Sequence, residues 1–266
     1  MRLKTLSLLG TQEREEYQID KPLPFFEAFR ETLANKPFVI ITLTYTILDF
    51  MMNLTMMVLP FYAFFVLDVG EDLMGIGALG VALGIIIGIP FWRWMYANKG
   101  PKYGLMLGIG IFTAGIWPIF FVDDFVLLII LTIFPGFGTA GMLMTEPAVS
   151  AAIDYDELKT GKRREATYSG VFGFVARLAL VFMAITLAIV QIATGFESGS
   201  ETQPESAIFG LKLLVGIVPV IGGLAGLLIF NFFPLNNQKF LEQQEKLKEL
   251  HEKRLLEVGK TSEIKG

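Results

Sequence analysis

Cysteine is absent from the 266 residues, which removes disulfides, thiolate chemistry and cysteine-ligated metals at once. Histidine occurs once, as His251, in a charged stretch near the C-terminus. Neither an HExxH zinc motif nor a serine–histidine pair inside an apolar run can therefore be assembled, and no phosphate-cradling glycine loop is present. Catalysis would have to rest on Asp49 and Glu146 alone, so the chain reads as no enzyme, with neither a metal site nor a bound cofactor. Basic charge is missing locally as well. The connectors carrying Asp68, Glu71 and Asp72, then Asp123 and Asp124, then Glu197, Glu201 and Glu205 contain no lysine or arginine.

Apolar residues are plentiful: 53% of the chain is hydrophobic and the mean hydropathy is +0.56, above the usual soluble share. Six apolar runs, near 37–67, 73–93, 104–122, 125–153, 168–194 and 207–234, are each about the 20 residues that cross roughly 30 Å of hydrocarbon. The fold class expected is an all-α membrane protein of six transmembrane helices. Lysine and arginine number six in the N-terminal arm, three between Arg93 and Lys102, four in the loop from Lys159 to Arg164 and seven in the C-terminal tail. Only Arg177 and Lys212 of the 22 fall within runs. By the positive-inside rule both termini are cytoplasmic, in the cell membrane. The bilayer is the expected environment, and nucleic acid is not an expected partner.

Three regions follow. Residues 1–36 form a cytoplasmic arm, with an amphipathic helix at Phe25 to Leu33 whose Phe25, Phe26, Phe29 and Leu33 recur at helical spacing. The opening MRLKTLSLLG has too short an apolar part for a signal peptide. Residues 37–235 form the transmembrane domain, and 236–266 a charged cytoplasmic helix and tail. In that helix Glu242–Lys246 and Glu249–Lys253 have the favourable i,i+4 order, and it reads as solvated, with His251 on its surface. Gly80, Gly84 and Gly88, Gly104 with Gly108, and Gly222 with Gly226 line single helix faces suited to close packing. Pro135, Gly136, Gly138 and Gly141 interrupt the fourth run near its middle, so that span reads as bent and cavity-lining. Trp92, Trp94 and Tyr96 read as an interfacial anchor.

Ionisable groups inside a bilayer are expensive, so their depth is informative. Lys212 enters near one boundary and can snorkel back to water. Asp49, Glu146 and Arg177 sit deeper, roughly 18, 12 and 15 Å from the cytoplasmic ends of their spans at helical rise. Two readings of this trio are open: a buried ion pair, or the polar lining of a solute and ion pathway. The loop between the fourth and fifth spans holds Asp154, Asp156, Glu157, Lys159, Lys162, Arg163, Arg164 and Glu165. It could pair with oppositely charged loops and close the cytoplasmic side, or simply set topology.

That loop, AIDYDELKTGKRREATYSG (Ala152 to Gly170), with the entry PFFEAFRETLANKPF and the turn GPKYG, resembles the glycoside-pentoside-hexuronide:cation symporters. These are the melibiose-permease-like branch of the major facilitator superfamily, and the likeness covers only the C-terminal half of their body. Ala151 departs from the pattern, because that family often carries a second Asp there. The resemblance implies one half of a major facilitator fold, two three-helix inverted repeats. It implies secondary active transport of a sugar-like or glycoside solute coupled to Na+ or H+, completed by a separate six-helix half or a second copy. Aligned on RREATYSG, Arg177 takes the place of a helix-eleven lysine implicated in substrate and cation binding. Arginine keeps the charge but cannot release its proton and prefers forked contacts to carboxylate or phosphate, which shifts the expectation toward an anionic solute. The alternatives are a non-transporting or truncated membrane subunit, and a transporter of an anionic or lysolipid-type solute.

Overall fold

In hydrocarbon every backbone N–H and C=O must find its partner inside the protein, and a chain of apolar runs does so by forming helices. The computed structural model describes residues 24–143 and 145–265, and the regular elements among them are all helical. They are α1 (Phe25–Leu33), α2 (Lys36–Leu67), α3 (Leu79–Ile116), α4 (Phe125–Met142), α5 (Thr145–Thr160), α6 (Glu165–Ala176), α7 (Leu178–Thr194), α8 (Glu205–Lys212), α9 (Val218–Asn231) and α10 (Asn237–Lys265). Short 3-10 segments at Glu71–Ala78 and Trp117–Phe121 and a π turn at Leu213–Ile217 join them. The arm expected over residues 1–23 lies outside the described residues.

Five stretches are long and apolar enough to cross a membrane: 36–67, 71–121, 125–160, 165–194 and 205–231. The six apolar runs become five because the second and third are joined through α3. A straight helix of that stretch's 51 residues would measure about 75 Å, more than twice the hydrocarbon core. It is not straight. Gly100 breaks it with φ 78° and ψ 173°, a conformation open to a residue without Cβ, and Pro101 follows.

The packing on α4 shows what the break does. Before Gly100, Gly80 lies on Ile129, Gly84 on Ile133 and Gly136, and Gly88 on Ala140, so numbers rise together. After it, Gly108 lies on Gly138 and Gly141, and Gly115 on Phe134 and Pro135, in the opposite order. The two limbs run in opposite directions along α4, and the chain turns back at Gly100.

The same contacts correct the reading of the fourth run in part: Thr132, Pro135 and Thr139 line a small cavity of about 100 Å3, but the glycines do not. Gly136 touches the Val81 backbone, Gly138 the Phe112 backbone, and Gly141 packs between Gly108 and Trp92. These glycines admit two flanking backbones. The interruption in the run comes later, where α4 ends at Met142 and α5 begins at Thr145. A methyl group at Gly138 would stand 2.7 Å from Phe112 Cα and 2.8 Å from the Gly108 carbonyl oxygen, whereas one at Gly110 would meet nothing within 4 Å. Gly138→Ala should therefore cost about 1–3 kcal/mol by overpacking, and Gly110→Ala should be neutral or stabilising by up to about 1 kcal/mol. Thermal unfolding in mild detergent measures both, and equal midpoints would remove this account of the interface.

α2 forms the spine of the bundle. Ile41, Leu48, Met51, Leu54, Val58, Leu59 and Tyr62 are buried along it, against Leu105, Ile109, Phe112 and Ile116 of α3 and Phe230 of α9. Asn35 caps its start, accepting from the Phe38 amide at 3.3 Å, with Pro37 in the first turn. Tyr62 places its hydroxyl 2.8 and 2.7 Å from the carbonyl oxygens of Ile119 and Val122, which satisfies a buried polar group. Trp92 is no interfacial anchor: it is fully buried, and its indole N–H donates to the Phe137 carbonyl oxygen at 2.7 Å. Trp94, the other tryptophan of that expected anchor, is exposed. In α1 the inward face includes Ala28 and Thr32, while Phe26 and Leu33 are exposed.

Candidate functional site

The three mid-span charges come from four neighbouring helices. Asp49 lies half-buried in α2, Glu146 is exposed in the first turn of α5, and Arg177 is exposed at the junction of α6 and α7. Asp49 and Glu146 both lie within electrostatic reach of the Tyr45 hydroxyl, one turn before Asp49. Tyr45 in turn packs its ring on Phe172 of α6, with centroids 4.8 Å apart. Asn53 donates to the Asp49 carbonyl oxygen at 2.7 Å. Among the described residues no ion pair joins Arg177 to either acid, so the buried-pair reading of the trio is not realised in this structure. Glu146 and Arg177 therefore stand exposed, and Asp49 half-buried, within long apolar stretches.

Lys212 follows its expectation in part. It reaches out of its helix, but to a partner: Nζ lies 2.9 Å from Asp123 in the connector before α4.

The charged loop forms the best-defined polar cluster. Glu157, with none of its side chain exposed, lies 2.8 Å from Arg254 Nη1, 3.3 Å from Arg163 Nη1 and 2.9 Å from His251 Nε2. Asp156 receives a forked contact from Arg164, at 2.9 to 3.1 Å, and Arg164 also pairs with Glu31 of α1. Arg163 reaches Glu165 at 3.0 Å, and Asp154 accepts from Gln244 at 3.0 Å. Forked guanidinium–carboxylate pairs are directional as well as strong, so α1, α5, the start of α6 and α10 are tied at one end of the bundle.

Two expectations are thereby revised. The loop acids pair with arginines of the same loop and with the C-terminal helix rather than with other charged loops, and Lys162 takes part in none of the described ion pairs. The C-terminal helix is docked rather than merely solvated. Gln243, 5% exposed, donates to the Ala151 carbonyl oxygen at 2.7 Å, and Leu247 is buried below it. On the far side of α5, Asn35 donates to the Ala152 carbonyl oxygen at 2.8 Å and to the Tyr168 hydroxyl at 3.1 Å. His251 belongs to this cluster, not to a free surface. Gln243, Leu247, His251 and Arg254 recur at spacings of four, four and three, a stripe that was legible once glutamine and histidine are counted with leucine. Asn35 and Tyr168 left no such signal.

Comparison with known proteins bears on what this arrangement serves. Residues 4–237 match the family described as MFS/sugar transport protein. The chain is 25% identical over 254 residues to the sodium-dependent lysophosphatidylcholine symporter 1 of Xenopus tropicalis, covering 92% of this chain and 48% of that protein. It is 23% identical to the sphingosine-1-phosphate transporter MFSD2B of the same organism, over 85% of this chain and 45% of that protein. An uncharacterised symporter of Synechocystis is 25% identical over 86% of this chain and 44% of its own length. The chain spans about half the length of these curated relatives. With its apolar helical stretches and a family match over most of its length, this integral membrane protein belongs to the MFS/sugar transport protein family.

Proposed function

We propose that this chain is one half of a cation-coupled symporter for a lysolipid-type amphiphile, completed by a second six-helix half. The observation that carries the reading is the exposure of Glu146 and Arg177 beside half-buried Asp49, all at mid-span. Facing lipid, each charge would cost on the order of 2.5 kcal/mol or more, so a second wall with an aqueous pathway between the walls is the natural cover. The reversal of the chain at Gly100 supports six passes, arranged as two three-helix inverted repeats. The lysine and arginine asymmetry supports both termini in the cytoplasm, in the cell membrane; an impermeant thiol reagent reaching a cysteine at position 162 from outside would reverse that orientation.

Solute and ion follow from the relatives and from Arg177. Relatives named for lysophosphatidylcholine and sphingosine-1-phosphate share a phosphate and a single chain, and a guanidinium suits phosphate. Sodium is favoured because the lysophosphatidylcholine relative is named for its dependence on it. A sugar solute rests on the family description and the likeness to melibiose-permease-like symporters, and it is the second reading.

The experiment is uptake into proteoliposomes holding this chain with a six-span partner, or with a second copy. Labelled lysophosphatidylcholine and labelled melibiose are offered with and without an inward sodium gradient. Sodium-stimulated lysophosphatidylcholine uptake by the assembly, and none by isolated monomer, is expected. Melibiose uptake alone would favour the second reading, and no uptake of either would make the chain a non-transporting subunit.

A further inference from the structure

We propose that the cleft between the connector ends of α2, α7 and α8 binds the single acyl chain of a lysolipid-type amphiphile. The ligand class rests on the reading of function above, but the site and its test do not depend on transport. The cleft encloses about 210 Å3. Val58, Ala207, Leu211 and Leu214 form its buried floor, while Met57 and Phe61 stand exposed at its rim. One side is sealed by close contact, since a methyl group at Gly210 would lie 2.9 Å from Thr194 and 3.0 Å from Val190.

Depth and polarity identify the occupant. From the helix ends at Thr194 and Glu205, the lining reaches inward to Leu187 and Leu214, roughly 10 to 14 Å at helical rise, about the depth of one leaflet. Water needs two to four polar partners to occupy such a space, and the floor offers none. Polar groups gather at the other end: Gln191 donates to Ser198 at 3.2 Å, and Ser206 to the Thr194 carbonyl oxygen at 2.7 Å. The Phe61 and Phe196 rings meet edge to face at the rim, 6.4 Å apart, beside a connector that carries Glu197, Glu201 and Glu205 without a basic residue. Aromatic faces next to acids favour a cationic head group. The volume is about that of seven liquid waters at ~30 Å3 each, enough for part of one chain and not for two side by side. Lipid tails are as apolar as the floor, so the hydrophobic effect does not select the ligand here. Selection falls to the polar end.

The test uses the purified full chain in nanodiscs of diacyl phospholipid, with a 16-carbon lysophosphatidylcholine carrying a photoreactive diazirine at its chain end. Crosslinks should map to the α7 and α8 segments around Leu187 and Leu214, and unlabelled lysophosphatidylcholine should compete for them. Ala207→Trp, which fills the floor, should cut labelling at least tenfold. Leu187→Trp, at the inner end of the cleft on a side chain that is only partly buried, should do the same, which covers the case in which the first variant fails to fold. Labelling that ignores competitor and both tryptophans, or equal labelling by a diacyl diazirine probe, would show ordinary surrounding lipid and overturn the site. Uptake by the assembled transporter without crosslinking here would discard the site and leave the functional reading standing, and crosslinking without uptake would do the reverse.

Discussion

Removing both Arg163 and Arg254 is expected to be the most damaging change at the charged end of the bundle. Glu157 has no exposed surface, and the two guanidiniums are its permanent cationic partners. With both replaced by alanine, the carboxylate is left buried with His251 alone, and breaking a buried pair from one side costs about 3–5 kcal/mol. Thermal unfolding in detergent and tryptic release of α10 read the loss. Glu157→Gln in the same background should recover most of it, because a neutral amide needs no counter-charge. If the double alanine variant unfolds and releases its tail like the parent, Glu157 does not depend on these arginines and the cluster is ornamental.

Arg177→Ala carries the largest expected effect on function. In the assembled transporter proposed above it should abolish sodium-stimulated uptake, because the proposed pathway would lose its mid-span guanidinium, the group suited to a phosphate. Arg177→Lys distinguishes two roles. A point charge preserves much of the rate with lysine, whereas a forked contact to phosphate does not survive the change. Gel filtration of each variant with its partner separates lost transport from lost assembly. Uptake by the alanine variant at the parent rate would remove Arg177 from the pathway.

Much of the fold was readable because its causes are local. The apolar runs and the α1 boundaries at Phe25 and Leu33 follow from composition and spacing within a few residues. What escaped was set by partners distant in the chain. Trp92 looked interfacial beside Trp94, but its indole finds Phe137 45 positions away. The glycines of α4 looked like breakers for a cavity until the two α3 limbs supplied backbones on both sides. Glu157 meets Arg254 across 97 positions, and a charged tail gives no local hint that its Gln243 face is buried. In the candidate pathway the place of Asp49, Glu146 and Arg177 along their apolar stretches was legible, but the lack of an ion pair between Arg177 and either acid was not, since helix rotation decides it.

The row of Gly80, Gly84 and Gly88 on α4 acts as a keyway with a stop. Sliding α3 by one helical turn would carry Gly84 into the place of Gly80 and Gly88 into that of Gly84, leaving those contacts almost unchanged. Trp92 would then enter the place of Gly88, where even a methyl group stands 2.8 Å from Ala140 Cβ. Its bond to Phe137 pins the other direction of travel. The α3–α4 unit thus has no free play along its axis, whereas α7 buries a single side chain, Ala179, and has no such interlock.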